Sequence, residues 1–143
     1  MAEHGWFFWA MASAVFAALT AIFAKVGLQG VDSDFATFIR TLVIIAALAL
    51  FLSYSGKWQH PGTLSAKNWG FLLLSGLATG ASWLAYFKAL QMGEASKVAP
   101  VDKFSLVLVA LMAVIFLKER PSAQEWTGIA LVAAGVLLLA WRR

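Results

Sequence analysis

Pro100-Val101-Asp102-Lys103-Phe104-Ser105 sets an acid beside a base near the start of an apolar run that continues to Leu117. Ionisable side chains at membrane depth are costly and by default mark a path for substrate, ions or protons. Three more cations, Lys25, Arg40 and Lys88, lie within or at the edge of other apolar runs. The chemistry on offer is recognition of an anion by guanidinium or ammonium, pairing of charges, and proton exchange at one carboxyl. No nucleophile-base-orienter set, P-loop or metal-ligating cluster accompanies these residues. An enzyme, a cofactor and a bound metal are therefore not expected.

The elements that carry these groups follow from composition. Hydrophobic residues make up 62% of the 143 and charged residues 13%, against about 45–50% and about 25% in a soluble domain. The excess recurs in segments near the length that a bilayer core demands. The expectation is an all-α polytopic membrane protein of five transmembrane helices. The spans fall at about 6–28, 35–54, 69–92, 96–117 and 123–141, within a single domain over 1–143. The formal charge is +4, but no basic run exceeds Arg142-Arg143. That pattern excludes a nucleic-acid partner and suits anchoring of helix ends in the lipid bilayer. There is no cysteine, hence no disulfide or thiol chemistry. The start, Met1-Ala2-Glu3-His4, lacks the basic region of a signal peptide, so the first apolar run is expected to stay as a span.

Each span offers candidates. Lys25 near the end of the first either snorkels to headgroups or serves a site. Gly30 breaks that helix, and Ser33 or Asp34 is the expected cap of the next. Arg40 sits inside the second span, as an anchor or as a functional group. In the third, Gly76 and Gly80 form a GxxxG packing motif, and Ser75, Thr79, Ser82 and Tyr86 recur at helical spacing as a polar stripe. Trp83 near mid-span is either bulk in the bundle core or the wall of a cavity, and Lys88 is either anchor or site. Glu119, in the charged turn after the fourth span, reads as interfacial. Ser122 is placed to cap the fifth, where Gly128 and Gly135 allow close packing.

For Pro100-Val101-Asp102 two readings compete. Proline favours the first helical position and acids the first turn, which would make Asp102 a helix-start acid. Alternatively Asp102 exchanges a proton or balances charge. Adjacent helical residues do not face each other, so Asp102 and Lys103 are expected to address different partners.

Lysine and arginine in the connections set orientation. One side carries Lys57, Lys67, Lys118 and Arg120; the other carries Lys25, Lys88, Lys97, Arg142 and Arg143. So small a bias predicts dual topology. An antiparallel homodimer would then supply both inverted repeats of a transporter with its site near the midplane.

The order of several short motifs resembles the EamA domain of the drug/metabolite transporter superfamily. They are Lys25-Val26-Gly27, Arg40, Tyr86-Phe87-Lys88-Ala89-Leu90, Ala99-Pro100, Leu117-Lys118-Glu119, Gly128-Ile129 and Gly135-Val136, across about Trp9 to Trp141. The resemblance implies a multi-pass inner-membrane transporter fold. Typical members carry two such domains with the halves inverted, and this chain carries one.

The expected function is secondary transport of a small metabolite, anionic or zwitterionic, by alternating access in an antiparallel dual-topology homodimer. Lys103, Arg40, Trp83, Tyr86, Lys88 and Ser82 are the candidate substrate contacts, and Asp102 is the proton-coupling or charge-balancing residue. The alternatives are proton-coupled efflux of cationic aromatic compounds, with Trp83 and Tyr86 against the cation and Asp102 as counter-charge, and a non-transporting membrane subunit.

Overall fold

The computed structural model describes residues 5–141. Met1 to His4, Arg142 and Arg143 lie outside the described residues, and with them two of the cations in the orientation count. Helix α1 covers Gly5–Gly27, α2 Ser33–Ser55, α3 Ala66–Met92, α4 Ala95–Asp102, α5 Ser105–Met112 and α6 Ala123–Trp141. A 3-10 turn occupies Pro61–Thr63, and a π-helical turn, Ala113–Leu117, extends α5. With α4, α5 and the π turn taken as one segment, five helical segments among the described residues are long and apolar enough to cross a membrane. The chain is an all-α, multi-pass membrane protein. Most of its large apolar side chains are exposed, among them Phe16, Leu50, Leu77 and Leu138. Lipid, as apolar as leucine, is the solvent for these faces.

The chain divides into two compact units, one of Ile22–Gln91 and one made of Met1–Ala21 with Met92–Arg143.

In the Ile22–Gln91 unit, the end of α1, the start of α2 and the end of α3 hold the buried residues. Leu28, Phe87 and Leu90 are buried with Ser33 and Thr37. The cap of α2 is Asp32, one residue before the expected pair: its carboxylate accepts from the Asp34 N–H at 2.9 Å and the Phe35 N–H at 3.0 Å. Ser33 is instead fully buried as the first helical residue, and its carbonyl accepts from the Thr37 hydroxyl at 2.8 Å. Helix α2 ends at Gly56, whose left-handed φ of 64° lets its N–H reach the Leu52 carbonyl. In the connection that follows, His60 Nδ1 accepts from the Gly62 N–H at 3.1 Å and the Trp69 indole donates to the Pro61 carbonyl at 3.3 Å. His60 is a turn residue here. Helix α3 begins at Ala66, three residues earlier than expected.

Lys25 does more than snorkel. Its ammonium donates to the Leu90 carbonyl at 2.6 Å, in the last turn of α3, where helical carbonyls have run out of partners. Beside it the Gln91 amide donates to the Val31 carbonyl at 3.0 Å. These two bonds fasten the ends of α1 and α3 and the α1–α2 turn together, and so set how α3 lies along α2.

In the other unit, Ala21, Ala113 and Val136 are buried. Ser122 caps α6 as expected, in a reciprocal pair: the Glu125 carboxylate accepts from the Ser122 N–H at 2.6 Å, and the Ser122 hydroxyl accepts from the Glu125 N–H at 3.3 Å. The fourth span is not one helix. Pro100 lies inside α4 as its sixth residue, not at a helix start, and it deprives the Ser96 carbonyl of its helical donor. The chain tightens to i→i+3 bonds at Lys103 N–H to Pro100 and Phe104 N–H to Val101, both 3.0 Å.

Lys25→Met should lower unfolding stability by about 1–2 kcal/mol, the worth of a charged hydrogen bond at a partly buried site. The check is the apparent melting temperature in detergent. An unchanged melting point would show that the tether carries no stability.

Candidate functional site

Arg40 lies seven residues past the start of α2, roughly 10 Å along its axis. It continues the α2 face begun by buried Ser33 and Thr37. That face meets Trp83 and Phe87, four residues apart and therefore on one side of α3. The Arg40 guanidinium carbon stands 4.5 Å from the Trp83 ring centre and 5.0 Å from that of Phe87. Both distances are within cation–π range. Tyr86 is half-buried, its ring centre 6.5 Å from that of Phe87.

The guanidinium needs this company. Arginine stays charged in proteins, so burial cannot be relieved by losing the proton. The two ring faces supply negative potential but no hydrogen-bond acceptor. Arg40 Nη1 is buried with no hydrogen-bond partner among the described residues. An unmet charged donor costs more than the about 1–3 kcal/mol of a neutral one. A carboxylate or phosphate oxygen would satisfy it at once.

Sequence reasoning gave Arg40 and Trp83 a site role but placed Phe87 only in a motif of the family resemblance, since it carries no polar atom to draw attention. Its spacing of four from Trp83 was the available signal. The polar stripe lies elsewhere on α3, about 100° of helical turn from the Trp83–Phe87 face. Ser75, Thr79 and Ser82 are exposed, and the Thr79 hydroxyl spends itself on the Ser75 carbonyl at 2.8 Å. Lys88 is exposed and makes no hydrogen bond or ion pair among the described residues.

Near Lys25, a polar cavity of about 380 Å³ opens between Gln29, Gly30 and Gln91, floored by Leu28 and Leu90. Lys25 holds its tether to Leu90 at the edge of this space.

In the other unit, Asp102 is the last residue of α4 and Lys103 follows in the break. The reading of Asp102 as a helix-start acid is wrong, because the helix starts at Ala95. The two side chains also do not go separate ways: Lys103 Nζ lies 3.3 Å from Asp102 Oδ2. The rule that neighbours diverge holds for a regular helix, and regularity ends at Asp102. The pair is loosely held, with side chains 53% and 36% exposed. The break falls about 12 Å along the fourth span from Ala95.

The four packing glycines share one property. A Cβ built at Gly76, Gly80, Gly128 or Gly135 meets no atom of its own unit within 4 Å. Whatever packs closely against these positions comes from outside the unit.

The model of the EamA-like transporter family matches residues 4–141. The chain belongs to this family. An uncharacterized transporter in the cobO 3′ region of a Sinorhizobium species is 56% identical over 138 residues, 96% of this chain and 98% of that one. A probable 4-amino-4-deoxy-L-arabinose-phosphoundecaprenol flippase subunit, ArnE, of Yersinia pestis (strain Pestoides F) is 31% identical over 85 residues, 59% of this chain and 75% of that one. No solved structure gives a significant match. As an EamA-like chain it is a membrane transporter.

A double-mutant cycle on Arg40→Met and Trp83→Leu measures the ring contact directly. The expected coupling is about 1 kcal/mol, between the exposed and desolvated limits of a cation–π pair. Thermal unfolding of the four purified proteins reads it, and a coupling near zero would show that the stacked geometry contributes nothing.

Proposed function

We propose that this EamA-like chain is a secondary transporter for a small anionic or zwitterionic metabolite. It works by alternating access as an antiparallel, dual-topology homodimer in the inner membrane. The observation that carries the cargo class is Arg40: a permanent cation on an aromatic platform, with a buried nitrogen that lacks an acceptor. An anionic group docking there replaces an unmet donor with a charge-assisted hydrogen bond, so binding gains what the empty site forgoes. Tyr86 borders the platform. Ser82 and Lys88 on α3, and Lys103 in the break of the fourth span, are the further cargo contacts in this reading.

The efflux alternative, a cationic aromatic compound on Trp83, is disfavoured because Arg40 already occupies a face of that ring. A second cation beside it would be repelled. The zwitterionic form of the proposal finds support in ArnE, whose name describes a cargo with both an amino group and a phosphate. The same name, with its word subunit, keeps a non-transporting partner role as the outcome to be tested against.

Two observations support the homodimer. The lysines and arginines of the connections are nearly balanced between the two sides. The small-residue face at Gly76–Gly80 is unfilled within its own unit, and a second copy would fill it. Asp102 supplies coupling. Its carboxylate and Lys103 lie at a break in the helix, and discontinuous helices in transporters are where ions and substrates bind. In the proposed cycle, Asp102 takes a proton and releases Lys103 to the cargo.

Flux into proteoliposomes tests the reading. Arg40→Gln should cut transport of carboxylate or phosphate solutes at least about tenfold, the scale of one charge-assisted bond, with Arg40→Lys intermediate. Undiminished flux in Arg40→Gln would refute the cargo assignment, and no flux of any solute by the unaltered chain alone would favour the subunit role. Asp102→Asn should abolish proton-driven uptake while leaving solute exchange intact; persistent driven uptake would remove Asp102 from coupling. Reporters fused to the C-terminus should give signal on both sides of the membrane, and a single-sided signal would end the antiparallel proposal.

A further inference from the structure

A cleft of about 440 Å³ runs between α5 with its π turn and α6, in the unit that does not contain Arg40. Leu106, Val109 and Ala113 form one wall, and Gly128, Ile129 and Val132 the other. From Glu125 to Val132 the slot descends roughly 10 Å along α6. Its end at Glu119, Pro121 and Glu125 lies at the helix termini, the level of lipid headgroups. The π turn shapes this end. Lys118 takes a left-handed φ of 57°, and the Glu119 N–H returns to the Ala113 carbonyl at 3.2 Å. Widened turns of this kind recur at functional sites.

The two carboxylates at the mouth are not equivalent. Glu125 is committed to the Ser122 N–H. Glu119 accepts no hydrogen bond and joins no ion pair among the described residues, although Lys118 and Arg120 flank it in sequence. The mouth therefore presents an acid above an apolar slot, with an exposed base on either side of that acid in the chain. Its complement is an ammonium and a phosphate side by side on a hydrocarbon tail. A primary ammonium has three N–H donors for a carboxylate, and a trimethylated one has none.

We propose that this cleft binds a phospholipid bearing a primary amine, with the ammonium on Glu119, the phosphate against Lys118 and Arg120, and an acyl chain in the slot beside Gly128. A helix from a second copy fits less well. Covering the mouth with the apolar surface of a helix would strand Glu119 without a counter-charge. The assignment does not depend on the cargo proposed above.

Native mass spectrometry of the purified full chain, titrated with phosphatidylethanolamine, phosphatidylcholine and phosphatidylglycerol of identical acyl chains, tests it. The ethanolamine lipid should bind roughly three- to fivefold more tightly than the choline lipid, the worth of one partly exposed ion pair. Glu119→Gln should erase that preference, and Gly128→Leu, which fills the slot, should remove the tightest-bound lipid of any head. Equal binding of the three lipids by the unaltered chain would overturn the proposal, as would a preference for phosphatidylglycerol. Retention of the ethanolamine preference in Glu119→Gln, undiminished lipid binding in Gly128→Leu, or capture of a second copy instead of lipid by a photo-crosslinker at Val109 would also overturn it. The comparison of lipids on the unaltered protein decides even if a variant misfolds.

Discussion

Hydrocarbon offers neither donors nor acceptors, so each polar group that enters it must bring its own partner. Most of this chain meets that demand in the simplest way, with regular helices whose side chains are dissolved in lipid. The hydroxyls follow the same rule by bonding back one turn, as Thr37, Thr41, Ser53, Thr79 and Thr127 all do. What is left over is a short set of places where the rule is strained: the ends of α1 and α3, the guanidinium of Arg40, the break after Asp102, and the π turn before Lys118.

Each place is resolved with different chemistry, and the chemistry indicates how firmly it is fixed. Lys25 meets a helix-terminal carbonyl at 2.6 Å. That is a structural solution, and it locks the end of α3. Arg40 is satisfied only in part: the rings of Trp83 and Phe87 offset its charge but not its hydrogen bonds. Asp102 and Lys103 satisfy each other at longer range and in partial contact with the surroundings. Tight, partial and loose satisfaction thus run in the order tether, platform, break.

The number of helices was legible in the sequence because bilayer thickness sets a length, and apolar runs of that length are hard to mistake. The Ser122 cap was legible because Glu125 follows it at the spacing of a capping pair. The Arg40–Trp83 pairing was half legible: both residues are conspicuous in apolar runs, but nothing local says that α2 and α3 bring them together. Phe87 was hidden by being apolar among apolar residues. The fate of Asp102 was misread for a physical reason. Divergence of adjacent side chains presumes 3.6 residues per turn, and Pro100 abolishes that regularity two residues earlier. The same proline suggested a helix start, since proline is commonest there. In a membrane an interior proline is tolerated when local 3-10 bonds re-satisfy the backbone, and the bonds of Lys103 and Phe104 do this. Asp32 displaced Ser33 as the cap because Ser33 was needed inside, where only a small side chain is buried without loss.

The contrast between Arg40 and the Asp102–Lys103 pair bears on how a chain this small could perform a cycle. A transporter needs one element that recognises cargo in both states and another that changes. Arg40 suits the first role, because its platform is two residues of a single helix, a turn apart, and moves as one body with α3. The broken fourth span suits the second. Its ion pair is held by one contact between neighbours, so that opening it disturbs no distant packing, and the i→i+3 bonds at the break can lengthen to i→i+4 at little cost. Adding a proton to Asp102 would remove the charge–charge attraction holding Lys103, a change confined to two neighbouring residues. In the proposed mechanism recognition and switching are therefore separable by substitution, since the features that stabilise Arg40 in its stack are not those that hold the break closed.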